Sequence, residues 1–237
     1  MKDQLLKLSI GIVLFFGILT MPARADLGFA IGVSGTAADF STSGTEEESW
    51  GASSKGIDIN TTTVENSVDF GAVFMEFAGK NDWGGITVGF EWIPGEASLG
   101  AKSRTDSDGD TSDDADTGVY SAKAEVSNHV QFYLEPTVYA TDGIGFYLKG
   151  GLNHVTVKSL ESLQGGTDKS AYGDDKIWGG TLGAGIRLKA PFGLLLKAEY
   201  THTEYETVVL KSATGNKNRI KADPESDNIR LALGWQF

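Results

Sequence analysis

The chain has 237 residues, a net charge of −12, 31 Gly, 5 Pro and no Cys. Without Cys there is no disulfide framework, thiolate zinc site or cysteine nucleophile, and so acidic a chain lacks the basic footprint that captures nucleic acid. Gly at about 13%, against a usual value of roughly 7%, together with scarce Pro, excludes collagen-like and proline-rich disordered classes and points to many close backbone approaches in one unit.

The first segment reads as an address. Lys2 and Lys7 precede an apolar run from Leu8 to Met21, followed by Pro22 and the small-residue site Ala23-Arg24-Ala25. A positive region, a short apolar region and an A-x-A site in that order form a secretory signal peptide, and the run is shorter than the roughly 20 residues a spanning helix needs. Residues 1–25 are therefore expected to be cleaved and 26–237 to form the folded domain. The removed segment carries a net +2, which leaves −14 on the mature chain.

From Leu27 onward the apolar residues recur with a period of two, the signature of strands with one apolar face. Leu27, Phe29, Ile31 and Val33 alternate with Gly28, Ala30, Gly32 and Ser34. Two facings compete over 68–78, one with Phe70, Ala72 and Phe74 outward and one with Val73, Met75 and Phe77 outward. The second is favoured because it turns Glu76 away from lipid. Ile86, Val88, Phe90 and Trp92 continue the pattern. So do Val130 to Val138, Phe146 to Leu152, Trp178 to Leu188 and Leu194 to Tyr200. The last strand is the cleanest, with Ile229, Leu231, Leu233, Trp235 and Phe237 on one face and Asn228, Arg230, Ala232, Gly234 and Gln236 on the other.

These patterns predict eight strands over 27–38, 68–78, 85–94, 125–140, 144–157, 176–189, 194–207 and 226–237. Most reach the roughly 9–11 residues that cross hydrocarbon as a tilted strand. Short connections (79–84, 141–143, 190–193) alternate strictly with long polar ones (39–67, 95–124, 158–175, 208–225), which are expected to lack apolar clusters. The predicted fold is all-β: an eight-stranded antiparallel up-and-down transmembrane β-barrel with long extracellular loops and short periplasmic turns. The soluble alternative, a lipocalin-like periplasmic barrel, would turn the apolar face inward.

If the apolar face meets lipid, the polar face fills a narrow lumen. Glu91, Glu135, Lys149, Arg187, Lys197, Glu199 and Arg230 then point inward as an ion-pair network, with glycines making room for the long side chains. Arg on the lipid face at midplane costs about 2–4 kcal/mol, so a one-residue slip that exposes Arg187 or Arg230 is strongly disfavoured. Trp83, Trp92, Trp178 and Trp235 are candidate interface aromatics; Trp50 lies in the first long connection.

The whole mature chain resembles the small eight-stranded outer-membrane barrels of Gram-negative bacteria, of the OmpA-barrel, OmpX, OmpW and opacity-protein type. The final strand ending on Phe237 carries most of the resemblance, with 84–92 and 183–188 adding weaker matches. The resemblance implies that Trp235 and Phe237 are read by the barrel assembly machinery.

Candidate chemistry is sparse. Asp106, Asp108 and Asp110 have the alternate spacing of a calcium loop, but Thr111 stands where that loop needs Gly and no Glu closes it. A solvated acidic loop, bridged to lipopolysaccharide by divalent ions, fits the same residues. His129, His154 and His202 show no paired nucleophile, although Glu204 and Glu206 lie near His202 and keep a lipid-modifying hydrolase open. No cofactor is expected. The expected role is that of a non-enzymatic, monomeric outer-membrane barrel, structural or in contact with surface ligands through its loops. The alternatives are a narrow porin-like channel or, last, a lipid-modifying enzyme.

Overall fold

The structure is a computed structural model that describes residues 26–49, 57–81, 84–106, 118–164, 172–213 and 219–237. The expected signal peptide (1–25), Trp50, Trp83, Asp108 and Asp110 lie outside the described residues, as does the side chain of Asp106. Nine strands form one antiparallel sheet: β1 Asp26–Ser49, β2 Ile57–Asn81, β3 Gly84–Asp106, β4 Gly118–Thr141, β5 Ile144–Gln164, β6 Asp174–Lys189, β7 Leu194–Tyr205, β8 Val208–Lys211 and β9 Arg219–Gln236. Each strand from β1 to β7 pairs with the next, β7 pairs with β9, and β9 returns to β1 through pairs such as Val33 with Leu233. The short β8 pairs with β9 beyond β7, after a break at Glu206 and Thr207, so it prolongs the same wall. The result is a closed eight-stranded barrel, whose pairing satisfies the backbone groups around the turn-side half of the belt.

The expected facing holds through the belt. Leu231 is 65% exposed, whereas Arg230 is 3% exposed. On β2, Val73, Met75 and Phe77 face out while Phe74 and Glu76 are buried, which resolves the competing facings of 68–78 in favour of the second. Trp92, Trp178 and Trp235 are exposed on the outer wall. From Leu188 to Trp178 the apolar face of β6 rises about 25 Å, at roughly 3.3 Å per residue and a tilt of roughly 40°, which matches the belt of a spanning barrel.

Two expectations need correction. Much of 39–67, 95–124, 158–175 and 208–225, expected as loop, is paired strand: β1 and β2 pair continuously out to Ser49 and Ile57, and β3 and β4 out to Asp106 and Gly118. Polar sequence on both faces conceals a strand from a hydrophobic period, but backbone pairing does not require that period. These outer walls also do not lack apolar clusters. Val155, Val157, Tyr172, Ile177, Val208 and Leu210 form a buried core, with Val126, Tyr205, Ile220 and Ala222 against it. Outside the belt the wall faces water, so the apolar side turns inward, the reverse of the spanning half.

One seam interrupts the wall. Pairing of β2 with β3 ends at Val73 and Trp92, where Pro94, which has no N–H to donate, and Gly95 (φ 93°) bulge the strand. Contact resumes higher up, where Asn66 Nδ2 donates to the Ser98 carbonyl at 2.9 Å.

Candidate functional site

Period-two facing sends every second side chain of eight converging strands into a lumen with little room. Three rings fill its centre: Phe74, Tyr133 and Tyr147 are 1%, 1% and 3% exposed. Glycine makes this possible on the facing strands. A Cβ on Gly89 would collide with the Tyr133 ring, and one on Gly185 would lie 2.5 Å from Tyr147.

Around the rings lie two ion clusters, each of two acids and two bases. In the first, Lys197 Nζ binds Glu76 and also both carboxylate oxygens of Glu135, at 2.7 and 2.8 Å. Arg187 lies 3.6 Å from Glu76 and donates to Thr87 Oγ1 at 2.6 Å. Tyr133 Oη donates to Glu76 at 2.9 Å. In the second, nearer the outward hairpins along β7, Glu199 accepts from Lys149 at 2.7 Å and from Tyr147 Oη at 2.7 Å. It lies 3.2 Å from Arg230, which also binds Glu91. All eight charged residues are buried. The lysines also sit over rings, with Lys149 4.2 Å from the Tyr133 centroid and Lys197 4.9 Å from that of Tyr147. A buried charge is tolerable only when paired and hydrogen-bonded, and each cluster is neutral as a set.

Sequence reasoning turned Glu76 inward but left it out of the network, counting three acids against four bases. The structure places Glu76 at the centre of the first cluster, fully buried. The signal was present: a carboxylate on an inward position of a spanning strand has nowhere to go except to a cation.

Above the second cluster the lining becomes neutral and polar. Gln131 Nε2 and Asn153 Nδ2 both donate to Thr181 Oγ1, at 3.1 and 2.6 Å, and Thr181 meets Thr203 at 2.7 Å. His129 Nε2 meets Asn153 Oδ1 at 3.0 Å. This tier borders a cavity of about 30 Å³ also touched by Glu91, Lys149, Glu199 and Arg230, which is room for about two waters. The apolar core around Tyr172 lies beyond, and Tyr172 Oη reaches Glu46 on the opposite wall at 3.2 Å. Toward the short-turn end, Ala30, Phe74, Leu195 and Ala232 form a second apolar layer.

The outer wall carries the other candidates. His202 and Asp227 stand at the outward ends of the apolar faces of β7 and β9, past Tyr200 and Ile229. Asp227 accepts from Tyr200 Oη at 2.6 Å and lies 3.0 Å from His202 Nδ1. These contacts hold the Asp227 carboxyl below the usual carboxylate range, the Tyr200 hydroxyl contributing most, and the Asp227 hydrogen bond raises His202 above 6.5. The other ring nitrogen of His202 lies 3.7 Å from Glu204, not from a hydroxyl nucleophile. Among the described residues no group of three His, Asp or Glu is arranged to hold a metal. At the turn end, Phe237 stacks on Phe29 at 6.1 Å and its N–H donates to the Phe29 carbonyl at 2.8 Å, while Trp235 lies 5.9 Å from Phe192.

A closed antiparallel barrel with a lipid-facing apolar belt and an ion-filled lumen defines a transmembrane barrel of the bacterial outer membrane. The chain belongs to the outer membrane protein beta-barrel domain family, whose profile matches residues 11–237. No curated protein matches the chain in sequence. Solved structures similar to it include OprG from Pseudomonas aeruginosa, at 15% identity over 90% of this chain and 97% of that one, TM-score 0.43. Another is Ail, the attachment invasion locus protein of Yersinia pestis, in complex with the heparin analogue sucrose octasulfate, at 12% identity over 87% and 99%, TM-score 0.38. A third is Neisserial surface protein A, at 9% identity over 86% and 97%, TM-score 0.36.

Proposed function

We propose that the protein is a non-conducting, non-enzymatic outer-membrane barrel whose work is done on its outer surface and in the membrane. The single observation that carries this reading is the filled lumen. Two neutral ion clusters, three rings and an apolar layer at either end occupy the described lumen, and the cavity beside the second cluster, about 30 Å³, is space for about two waters rather than a path for hydrated ions. Moving any one charge to open a path leaves its partner buried and unpaired, which costs about 3–5 kcal/mol.

In this reading residues 1–25 direct export and are removed, and residues 26–237 are the working domain. Trp235 and Phe237, exposed at the turn end, present the signal for the barrel assembly machinery. The barrel works as a monomer among outer-membrane lipid and lipopolysaccharide, and the hairpin tips carry any surface-ligand contacts. The acidic tract with Asp106, Asp108 and Asp110 acts there as a solvated negative surface.

Planar-bilayer recording on the refolded barrel tests the central point. The expected result is no discrete conductance step in salt. Steps whose size shifts on Arg230→Ala substitution would replace this reading with a narrow channel.

A further inference from the structure

We infer that the cavity above the second ion cluster takes up one small monovalent anion of halide size together with one proton, the anion held by Arg230 and the proton by His129. Arg230 is buried and borders the cavity. Its Nη2 binds Glu91, and its Nη1 lies 3.2 Å from Glu199 without the alignment of a hydrogen bond. Nε and Nη1 have no hydrogen-bond partner among the described residues. A guanidinium presents five N–H donors, and buried donors left unmade are costly. Asn228 borders the same space, and its Nδ2 reaches Ser226 and Thr201 only at 3.2 to 3.4 Å, so it has an N–H to share. The volume of about 30 Å³, room for about two waters, admits a single halide and rejects larger anions. Phe40, Phe70 and Ile93 form an apolar wall across from the donors, which suits a weakly hydrated ion.

Charge decides what must enter with the anion. The charged groups that face the cavity are Glu91 from β3, Lys149 from β5, Glu199 from β7 and Arg230 from β9, two acids against two bases. β1 and β2 contribute no charge there, and β5 carries His154 on its outer face, against Trp178. The set is neutral, so an anion alone would be an uncompensated buried charge. His129 of β4, on the same cavity wall, supplies the missing positive charge. Gln131 Nε2 donates to Asn153 Oδ1 at 3.0 Å, and His129 Nε2 meets the same oxygen at 3.0 Å. That oxygen only accepts, so Nε2 carries the proton of the neutral ring and Nδ1 is the nitrogen open to a second. Tyr205, whose ring lies 6.4 Å from that of His129, is the remaining titratable group at the cavity and is an un-ionised phenol near neutral pH.

The wall at Phe70 and Ile93 is the seam, where no β2–β3 ladder runs above Val73 and Trp92. The ion enters there from the outward side, past the exposed carboxylates of Asp69 and Glu96. Their charge opposes it at neutral pH and fades in acid. Protonation of His129 and loss of that repulsion act in the same direction, so occupancy rises as pH falls. Only the folded barrel has the cavity, so the ion and its proton stabilise the barrel in acidic, halide-containing surroundings. This goes beyond the proposed role: an ion that enters and leaves by one side carries no current, so the bilayer recording neither supports nor removes it.

NMR titration of the histidine rings in the refolded full barrel tests it, with sodium bromide as the probe and sodium gluconate, too large for the cavity, holding ionic strength constant. Each variant is first shown to be folded by its unheated gel mobility. The expected result is a His129 midpoint that rises with bromide, by up to about one pH unit per tenfold once the site fills, the slope of one anion taken up with one proton. His202 on the outer wall should keep its midpoint. Arg230→Lys keeps a charge opposite Glu91 and Glu199 but removes the free guanidinium donors, and should abolish the bromide dependence. Line broadening of the bromide resonance gives a second reading. His129→Gln keeps a donor for Asn153 but cannot take the proton, and should lower the broadening in acid to the level of the parent at neutral pH. A His129 midpoint that moves no more than that of His202, as two resident waters would give, overturns the assignment. So does full bromide dependence in Arg230→Lys, or full acid broadening in His129→Gln.

Discussion

Lys197 is the residue on which the lumen depends most directly. Its side chain is fully buried, as are those of Glu76 and Glu135, which it binds together. Replacing it by Met keeps much of the volume but removes the charge. Glu76 then still has Arg187 at 3.6 Å and the Tyr133 hydroxyl at 2.9 Å, whereas Glu135 loses the one cation that contacts it in the described structure. A buried carboxylate stripped of its partner costs about 3–5 kcal/mol, and Lys197→Met is expected to destabilise the barrel by that amount. Adding Glu135→Leu removes the orphaned charge and restores a neutral cluster of Arg187 and Glu76. The double variant should therefore be more stable than Lys197→Met alone and return to within about 1.5 kcal/mol of the parent, since buried pairs replaced by apolar residues are often close to neutral. Urea unfolding of the barrel in phospholipid vesicles, followed by Trp fluorescence and unheated gel mobility, gives both numbers. The reasoning is refuted if Lys197→Met costs less than about 1 kcal/mol, or if the two substitutions add as independent losses.

Other expectations follow from the same geometry. Leu231→Arg places a guanidinium on a lipid-facing position that is 65% exposed and should cost about 2–4 kcal/mol in the same unfolding assay, while Leu231→Met should change little. Gly89→Val drives a side chain into the Tyr133 ring; backbone and ring must both shift, so a loss of about 1–3 kcal/mol or more is expected, and recovery by the second substitution Tyr133→Ala would identify the clash as the cause. The Asp227 hydrogen bond raises His202 above 6.5, so its contribution to stability is complete at acid pH and is lost as pH rises through the folded value. NMR titration of the His202 ring should give a midpoint above 6.5 that returns toward 6.5 in Asp227→Asn, and an unchanged midpoint in that variant would remove the carboxylate as the cause.

The facing of the spanning strands was legible in the chain because lipid imposes it residue by residue. Leu231 and Arg230 are neighbours in sequence with opposite fates, and no distant contact is needed to tell them apart. Glu76 was legible in direction but not in role, since its partners Lys197 and Arg187 lie more than a hundred residues away in sequence and meet it only once the register closes the barrel. The outer halves of β1 to β4 were hidden for a different reason. There water lies outside and polar side chains suit either face, so the strands follow the hairpins that begin in the belt without showing a period of their own. The apolar core around Tyr172 and Val208 likewise draws single residues from separate strands, none of which stands out in its own segment. Local alternation thus determined what points at acyl chains. Which carboxylate meets which cation, and that apolar layers flank the ion clusters, was decided by closure alone, because buried charge is stabilised by partners that only the stagger of eight paired strands can bring within ion-pair distance.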